Sequence, residues 1–137
     1  MDTTHEWRKS LDDLEGVWGA SPKHATYLIQ KCHALHAKPL IDLSDEELRL
    51  CLSQKLGLKW VLPLVMLRLQ ENPLRSGEMY EGDVLANALR LPVQAWSGHE
   101  NLREDLGNLA STLLALPPGD DFDPDLLTEA FDDFNAA

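Results

Sequence analysis

The sequence predicts an all-α protein, a single compact domain of six to eight helices spanning residues 1–137. Three observations support this prediction. Apolar residues recur at helical spacing in almost every segment, no alternating strand pattern of useful length appears, and helix start and stop signals flank the apolar stretches. A chain of this length buries roughly two-thirds of its surface on folding, which allows one core. The 44% hydrophobic content separates the chain from disordered proteins despite its acidity.

The first two helices are predicted from their start signals. Ser10, three residues before Asp13, indicates a short helix near the N-terminus. Ser21 and Pro22 pair an N-cap with a proline at the first helical position, so a second helix is expected to run to about His36. Its inward stripe is predicted to consist of Ala25, Leu28, Ile29, Cys32 and Leu35.

The third helix has the clearest start signal in the chain. Ser44 followed by Glu47 is a capping box, and the acids of this turn suit the positive end of the helix dipole. Gly57 is the expected left-handed stop. The inward stripe is predicted to be Leu48, Leu52 and Leu56.

The fourth helix is predicted over residues 60–71 and is apolar nearly all round. It is therefore expected to be the central element of the core. Pro63 is placed in its first turn, where a missing amide costs little. Asn72 and Pro73 end it.

The remaining helices follow from further caps and prolines. Asp83 is predicted to cap a helix, Pro92 to start a short turn around Trp96, and residues 101–115 to form another helix. Residues 117–119 (Pro-Pro-Gly) are the one strong linker signal. The expected inward residues of the helix after Asp83 are Val84, Leu85, Ala88, Leu89 and Leu91.

A final amphipathic helix over residues 123–134 is predicted from the pair Asp123 and Pro124, which resembles a cap followed by a first helical residue. This helix is strongly acidic outside its apolar stripe. The expected inward residues are Leu126, Leu127, Ala130, Phe131 and Phe134.

Charge is distributed unevenly along the chain. The formal net charge is −11, and the 34 residues after Arg103 contain nine acidic residues and no Lys or Arg. Such a field repels nucleic acid and anionic membranes and attracts basic proteins at long range. We therefore expect a basic protein partner, with neither a nucleic acid nor a membrane as ligand.

Metal binding and catalysis are not indicated. Cys32 and His36 share a helix face, with Cys51 or His24 as a third candidate ligand, but no C-x-x-C or H-E-x-x-H pattern is present. Cys32 also lies on the apolar stripe, so both cysteines are predicted to be buried free thiols. There is no G-x-S-x-G elbow, phosphate loop or dinucleotide fingerprint. The prediction is a protein without enzymatic activity, catalytic residues, cofactor or metal.

The compartment is predicted from the apolar content of two segments. Residues 1–6 are polar and acidic, with no apolar run behind them, so no signal peptide is expected. The longest apolar stretch, residues 60–67, is too short to span a bilayer. The prediction is a cytoplasmic protein.

Residues 18–96 resemble a known family. The pattern consists of Trp18-Gly19, Tyr27-Leu28, Cys32-His33-Ala34-Leu35, Lys38-Pro39-Leu40, Glu47-Leu48-Arg49, Gly57-Leu58, Val61-Leu62-Pro63-Leu64, Pro73-Leu74, Tyr80, Gly82-Asp83, Leu85, Leu89, Leu91-Pro92 and Trp96. In this order and spacing it is similar to the immunity proteins of contact-dependent growth inhibition (CDI), called CdiI, from an all-helical family. The resemblance does not extend to the acidic C-terminal helix.

The resemblance implies a cytoplasmic antidote that forms a one-to-one complex with the C-terminal toxin domain of a secreted CdiA protein. Many such toxins are nucleases, often acting on transfer RNA, and their clefts are positively charged. An acidic surface suits such a partner, in agreement with the net charge. The alternative is an acidic helical adaptor or regulatory module that binds another basic protein.

Two acidic segments are the candidate toxin-binding residues. Members of the family neutralise different toxins, so the shared positions Trp18, Tyr27, Leu35, Pro39, Leu62 and Pro63 are expected to be core and turns. The candidates are Asp120, Asp121, Asp123, Asp125, Glu129, Asp132 and Asp133 at the C-terminus, and Glu78, Tyr80, Glu81 and Asp83 in the loop of residues 78–83. The aromatic residue of this loop suits a binding hot spot.

Overall fold

The computed structural model describes residues 4–77, 79–115 and 124–136, and this part of the chain is all-α, as predicted. It contains no strand, and its seven α-helices agree with the predicted range. The α-helices are α1 (Leu11–Glu15), α2 (Tyr27–His36), α3 (Asp45–Gln54), α4 (Leu58–Glu71), α5 (Asp83–Leu89), α6 (Glu100–Leu114) and α7 (Pro124–Ala136). Short 3₁₀ helices span Thr4–Arg8, Leu40–Asp42 and Val93–Trp96.

Helix α4 is the centre of the core, as its apolar sequence predicts. Its buried side chains are Val61, Leu62, Leu64, Val65, Met66 and Leu69. They belong to one cluster of buried side chains to which all seven α-helices contribute. No helix of the described residues is long and apolar enough to cross a membrane.

The two caps predicted at α1 and α3 are confirmed. The hydroxyl oxygens of Ser10 and Ser44 accept hydrogen bonds from the backbone amides of Asp13 and Glu47, both at 3.1 Å. In return, the Asp13 and Glu47 carboxylates accept from the amides of the two serines at 3.0 and 2.9 Å. These reciprocal bonds satisfy amides that a helix start otherwise leaves without partners.

The predicted start of α2 is wrong. The helix begins after Thr26, whose hydroxyl accepts from the amide of Ile29 at 3.2 Å, and not after Ser21. His24 has a φ of 68°, a left-handed conformation that a right-handed helix cannot contain. The residues after Pro22 therefore form a turn, closed by a bond from the Ala25 amide to the Pro22 carbonyl.

The predicted inward stripe of α2 is only partly confirmed. Cys32 and Leu35 are buried, whereas Leu28 and Ile29 remain 41% and 42% exposed. The first turn of α2 extends past the core, so its apolar side chains are only partly covered. His36, at the last turn, is buried instead.

Trp18 and Tyr27, expected from the resemblance to lie among the core and turn positions, are both exposed, at 42% and 70% of their surfaces. The ring of Trp18 stacks on His36 with centroids 3.9 Å apart, so it covers the end of α2 from outside. Leu35 and Leu62 are buried, as expected.

The predicted stop of α3 is also displaced. The left-handed residue at its end is Lys55, with a φ of 57°, and not Gly57. Gly57 is left-handed too, but it stands at the start of α4. A Cβ at Gly57 would collide with the side chain of Leu11, so the glycine permits both the turn and the close approach of α1.

Pro63 lies deeper in α4 than predicted. The helix begins at Leu58, which makes Pro63 its sixth residue and places it beyond the first turn. Proline has no amide hydrogen, so the carbonyl of Lys59 loses its helical partner. The ring Nε2 of His99 donates to that carbonyl at 3.0 Å and replaces the missing bond.

The C-terminal half follows the prediction closely. Asn72 ends α4, and the turn after Pro92 and helices α5 and α6 lie where they were expected. Helix α7 is amphipathic, with Leu127, Ala130 and Phe134 buried. The linker of residues 117–119 and the predicted cap Asp123 lie outside the described residues.

Candidate functional site

The acidic side chains of α7 lie on the side away from its buried residues. Asp125, Glu129 and Asp132 are spaced four and three residues apart, which places them on one face of the helix. All three are exposed, whereas Leu127 and Phe134 on the opposite face are buried. We call these three residues the acidic face of α7.

Asp133 occupies a different position from these three residues. Its carboxylate lies 3.7 Å from the guanidinium of Arg90, the residue that follows α5. Both side chains are largely exposed, so this ion pair contributes little to stability. Asp133 therefore marks the edge of α7 that faces α5.

Four of the predicted site residues lie outside the described residues. These are Glu78, Asp120, Asp121 and Asp123.

Of the described loop residues, Tyr80 is half-buried and packs against the core, while Glu81 is exposed. Met79, the residue before Tyr80, is 66% exposed. The described part of the loop therefore presents one acidic and one apolar side chain to solvent, with the aromatic ring turned partly inward.

Asp83 is fully buried and is occupied by its own loop. Its carboxylate accepts hydrogen bonds from the amides of Gly77 at 2.6 Å, Met79 at 3.0 Å and Tyr80 at 3.3 Å. It is the first residue of α5, and the cap position belongs to Gly82, so the predicted capping role is wrong. We remove Asp83 from the proposed surface, because its carboxylate shapes the loop and does not reach solvent.

Helix α6 adds acidic residues that the sequence analysis did not select. Glu100 and Glu104 are four residues apart on one side of α6, and that side borders α7. Together the two helices enclose an open groove of about 450 Å³. The i, i+4 spacing of the two glutamates was visible in the sequence, but their position beside α7 was not.

Close packing of α6 and α7 forms the floor of this groove. A Cβ at Gly107 would lie 2.9 Å from the ring of Phe134, so only glycine allows this separation. Arg103 packs on the same ring. Its guanidinium lies 4.1 Å from the ring centroid and donates a hydrogen bond to the Phe134 carbonyl at 3.0 Å. Phe134 is thus fixed between a glycine and an arginine.

His36, one of the candidate metal ligands, contacts a carboxylate. The Nδ1 of His36 lies 2.5 Å from the carboxylate of Asp12, and that carboxylate also accepts from the Trp18 amide at 3.1 Å. Within the described ranges, no three His, Cys, Asp or Glu side chains converge as a metal site.

Both cysteines are buried free thiols, as predicted. Burial raises the pKa of the Cys51 thiol to about 12, so almost no thiolate exists at neutral pH. Burial also raises the pKa of Cys32. Neither thiol is suited to act as a nucleophile.

The chain was also compared with known proteins. No curated protein matches it significantly. The model of the family CdiI_3, described as CDI immunity proteins, matches residues 13–106, which is more than half of the chain. This range covers the end of α1, all of α2 to α5 and the first part of α6. The chain therefore belongs to the family of CDI immunity proteins.

Proposed function

We propose that this protein binds and neutralises the nuclease toxin domain at the C-terminus of its cognate CdiA, and that the acidic face of α7 contributes to the interface. The observation that carries the proposal is the exposed row of Asp125, Glu129 and Asp132 on a helix whose opposite side is anchored in the core. A nuclease needs a positively charged cleft to hold phosphates. A negatively charged surface is electrostatically complementary to such a cleft.

The presentation of these acids supports a docking role. Glu129 and Asp132 form no ion pair with any described residue, so their charges are not neutralised within the fold. They project from a helix fixed through Leu127 and Phe134, so the backbone that carries them needs little further ordering to meet a partner. Charges held in this way speed the capture of an oppositely charged protein.

The other parts of the proposal are a one-to-one complex, a cytoplasmic site of action and inhibition by binding without catalysis. An immunity protein must meet the toxin where the toxin acts, and transfer RNA, a substrate class implied by the family resemblance, is cytoplasmic. Tight inhibition depends mainly on slow dissociation. Such affinity requires a preorganised surface and no reacting group.

Co-expression with the CdiA toxin domain encoded immediately upstream tests the proposal. We expect a stable one-to-one complex on co-purification, loss of the toxin's nuclease activity in the complex, and survival of cells that express both proteins. If the two proteins do not associate and the toxin still kills, the cognate-immunity proposal is wrong. That result would favour an acidic adaptor that binds a different basic protein.

A further inference from the structure

We propose that the groove between α6 and α7 receives an arginine side chain of the toxin. This inference rests on the proposed function, and it assigns one specific contact within that interface. The groove is lined by Glu100, Glu104, Asn108, Ser111, Phe131 and Asn135 above the Arg103–Phe134 contact.

The size of the groove suits a single long side chain. Its volume of about 450 Å³ lies within the range of small ligand sites, so it has room for one long side chain of a docked protein. The groove is open to solvent, so a side chain projecting from a docked protein can enter it.

One wall of the groove is aromatic. Phe131 is half-buried, and its ring stacks on that of Phe134 with centroids 5.8 Å apart. Phe134 already carries the guanidinium of Arg103 on its ring, at 4.1 Å from the centroid. The fold thus shows that a guanidinium packs on one ring of this aromatic pair, and the half-buried ring of Phe131 offers a similar surface to an incoming cation.

The rim supplies the negative charge. Glu100 is oriented by the turn before α6, because its carboxylate accepts a hydrogen bond from the Gly98 amide at 3.2 Å. Hydrogen bonds from the amides of Glu100 and Gly98 lower the pKa of the Glu100 carboxyl, so it is ionised at neutral pH. Glu104, one turn further along α6, is exposed, and its carboxylate forms no hydrogen bond or ion pair with the described residues.

The polar residues of the groove fit a guanidinium better than an ammonium group. Arginine presents several N–H donors in one plane and also stacks on aromatic faces, whereas lysine is a compact point charge. The amides of Asn108 and Asn135 and the hydroxyl of Ser111 supply acceptors beside the Glu104 carboxylate. The Arg103 charge inside the groove is offset by the two glutamates, which leaves one net negative charge.

The test compares two neutralised acids on one helix. Glu104→Gln removes a charge inside the groove, and Asp105→Asn removes a charge from the adjacent residue, which is exposed and does not line the groove. Both variants weaken long-range attraction equally. We expect dissociation of the CdiA toxin domain to be about ten- to a hundredfold faster for Glu104→Gln and nearly unchanged for Asp105→Asn. Stopped-flow or surface-binding kinetics measures both rates.

A second variant, Phe131→Leu, keeps apolar packing against the core and removes the ring. We expect it to speed dissociation as well, while circular dichroism and thermal unfolding show that the helices remain folded. If Glu104→Gln and Asp105→Asn dissociate at the same rate from a complex that the wild-type protein forms, the groove proposal is wrong and the immunity proposal stands. If the wild-type protein does not bind the toxin domain, both proposals fail.

Discussion

Asp83 illustrates how a single carboxylate acquires its role from its surroundings. In the sequence it is one of three acids in residues 78–83, next to a tyrosine, and that composition resembles a binding loop. In the fold it is fully buried and holds three backbone amides of the loop that precedes α5. Buried donors without acceptors are costly, so the carboxylate is structural.

Replacement of Asp83 by alanine is expected to destabilise the protein by about 2–4 kcal/mol, because three partly buried amides lose their carboxylate acceptor. Urea unfolding monitored by circular dichroism measures the free energy of unfolding. Glu81→Ala is the matched control, since Glu81 is exposed in the same loop, and its effect should stay within about 0.5 kcal/mol. Equal, small effects of the two substitutions would contradict the assigned role.

The contact between Asp12 and His36 predicts how stability depends on pH. A hydrogen bond to His36, and then one from the Trp18 amide, lower the pKa of the Asp12 carboxyl in the folded protein. The stabilisation from this group is therefore complete above the unfolded pKa, which is about 4, and is lost as the pH falls through the lower folded value.

We expect Asp12→Asn to lower the unfolding temperature at pH 6 and to make stability less sensitive to pH between about 5 and 3. The decisive measurement is thermal unfolding of both proteins across that interval. Asp42→Asn serves as control, because Asp42 is exposed. If the wild-type and Asp12→Asn curves run parallel down to pH 3, the contact does not contribute the expected linkage.

At the scale of elements, α4 contains a proline that its neighbour accommodates. Pro63 leaves the Lys59 carbonyl without a helical donor, and the ring of His99, just before α6, donates to it at 3.0 Å. The hydrogen bond that Pro63 cannot donate is thereby replaced by a contact between α4 and the start of α6. Residues 59 and 99 are far apart in the sequence, so no local sequence pattern predicts this contact.

A double-mutant cycle on this contact has a clear expected outcome. His99→Ala should cost about 1 kcal/mol in the wild-type protein, since the Lys59 carbonyl then loses its donor. With Pro63→Ala present, residue 63 supplies the helical amide and the same His99 change should cost much less. Chemical denaturation of the four proteins gives the coupling energy, and additive effects would show that His99 does not replace the missing amide.

At the scale of the whole molecule, charge is separated along the chain. Residues 16–41 contain no acidic residue, whereas acids dominate from α6 onward. The acidic face of α7 and the glutamates of α6 therefore concentrate the field in one part of the surface. A basic partner approaching by diffusion is steered toward that part.

Charge reversal on the acidic face tests this steering. Glu129→Lys with Asp132→Lys is expected to slow association with the toxin domain about tenfold at low salt, with a smaller difference at high salt because ions screen exposed charges. The matched control, Glu15→Lys with Asp42→Lys, changes the net charge equally on α1 and the Leu40–Asp42 turn. If both double variants slow association equally, the net charge of the protein controls association, and the acidic face of α7 is not part of the interface.

The sequence by itself determined the features that depend on neighbours within a turn or two. The caps at Ser10 and Ser44, the apolar central helix and the amphipathic α7 were all predicted, because capping bonds and helical periodicity are local. The resemblance over residues 18–96 also predicted the family that the match over residues 13–106 confirms.

Only the tertiary structure decided which apolar and acidic residues are reached by solvent. Leu28 continues the predicted inward stripe of α2 but extends past the core and stays exposed. Asp83 is buried because its carboxylate binds the amides of its own loop. Glu104 lines the groove between α6 and α7. Each outcome depends on where a distant segment ends: the core beneath α2, the loop before α5, or α7 beside α6. Burial is a property of the assembled helices, and a local pattern specifies a helix face without specifying what will cover it.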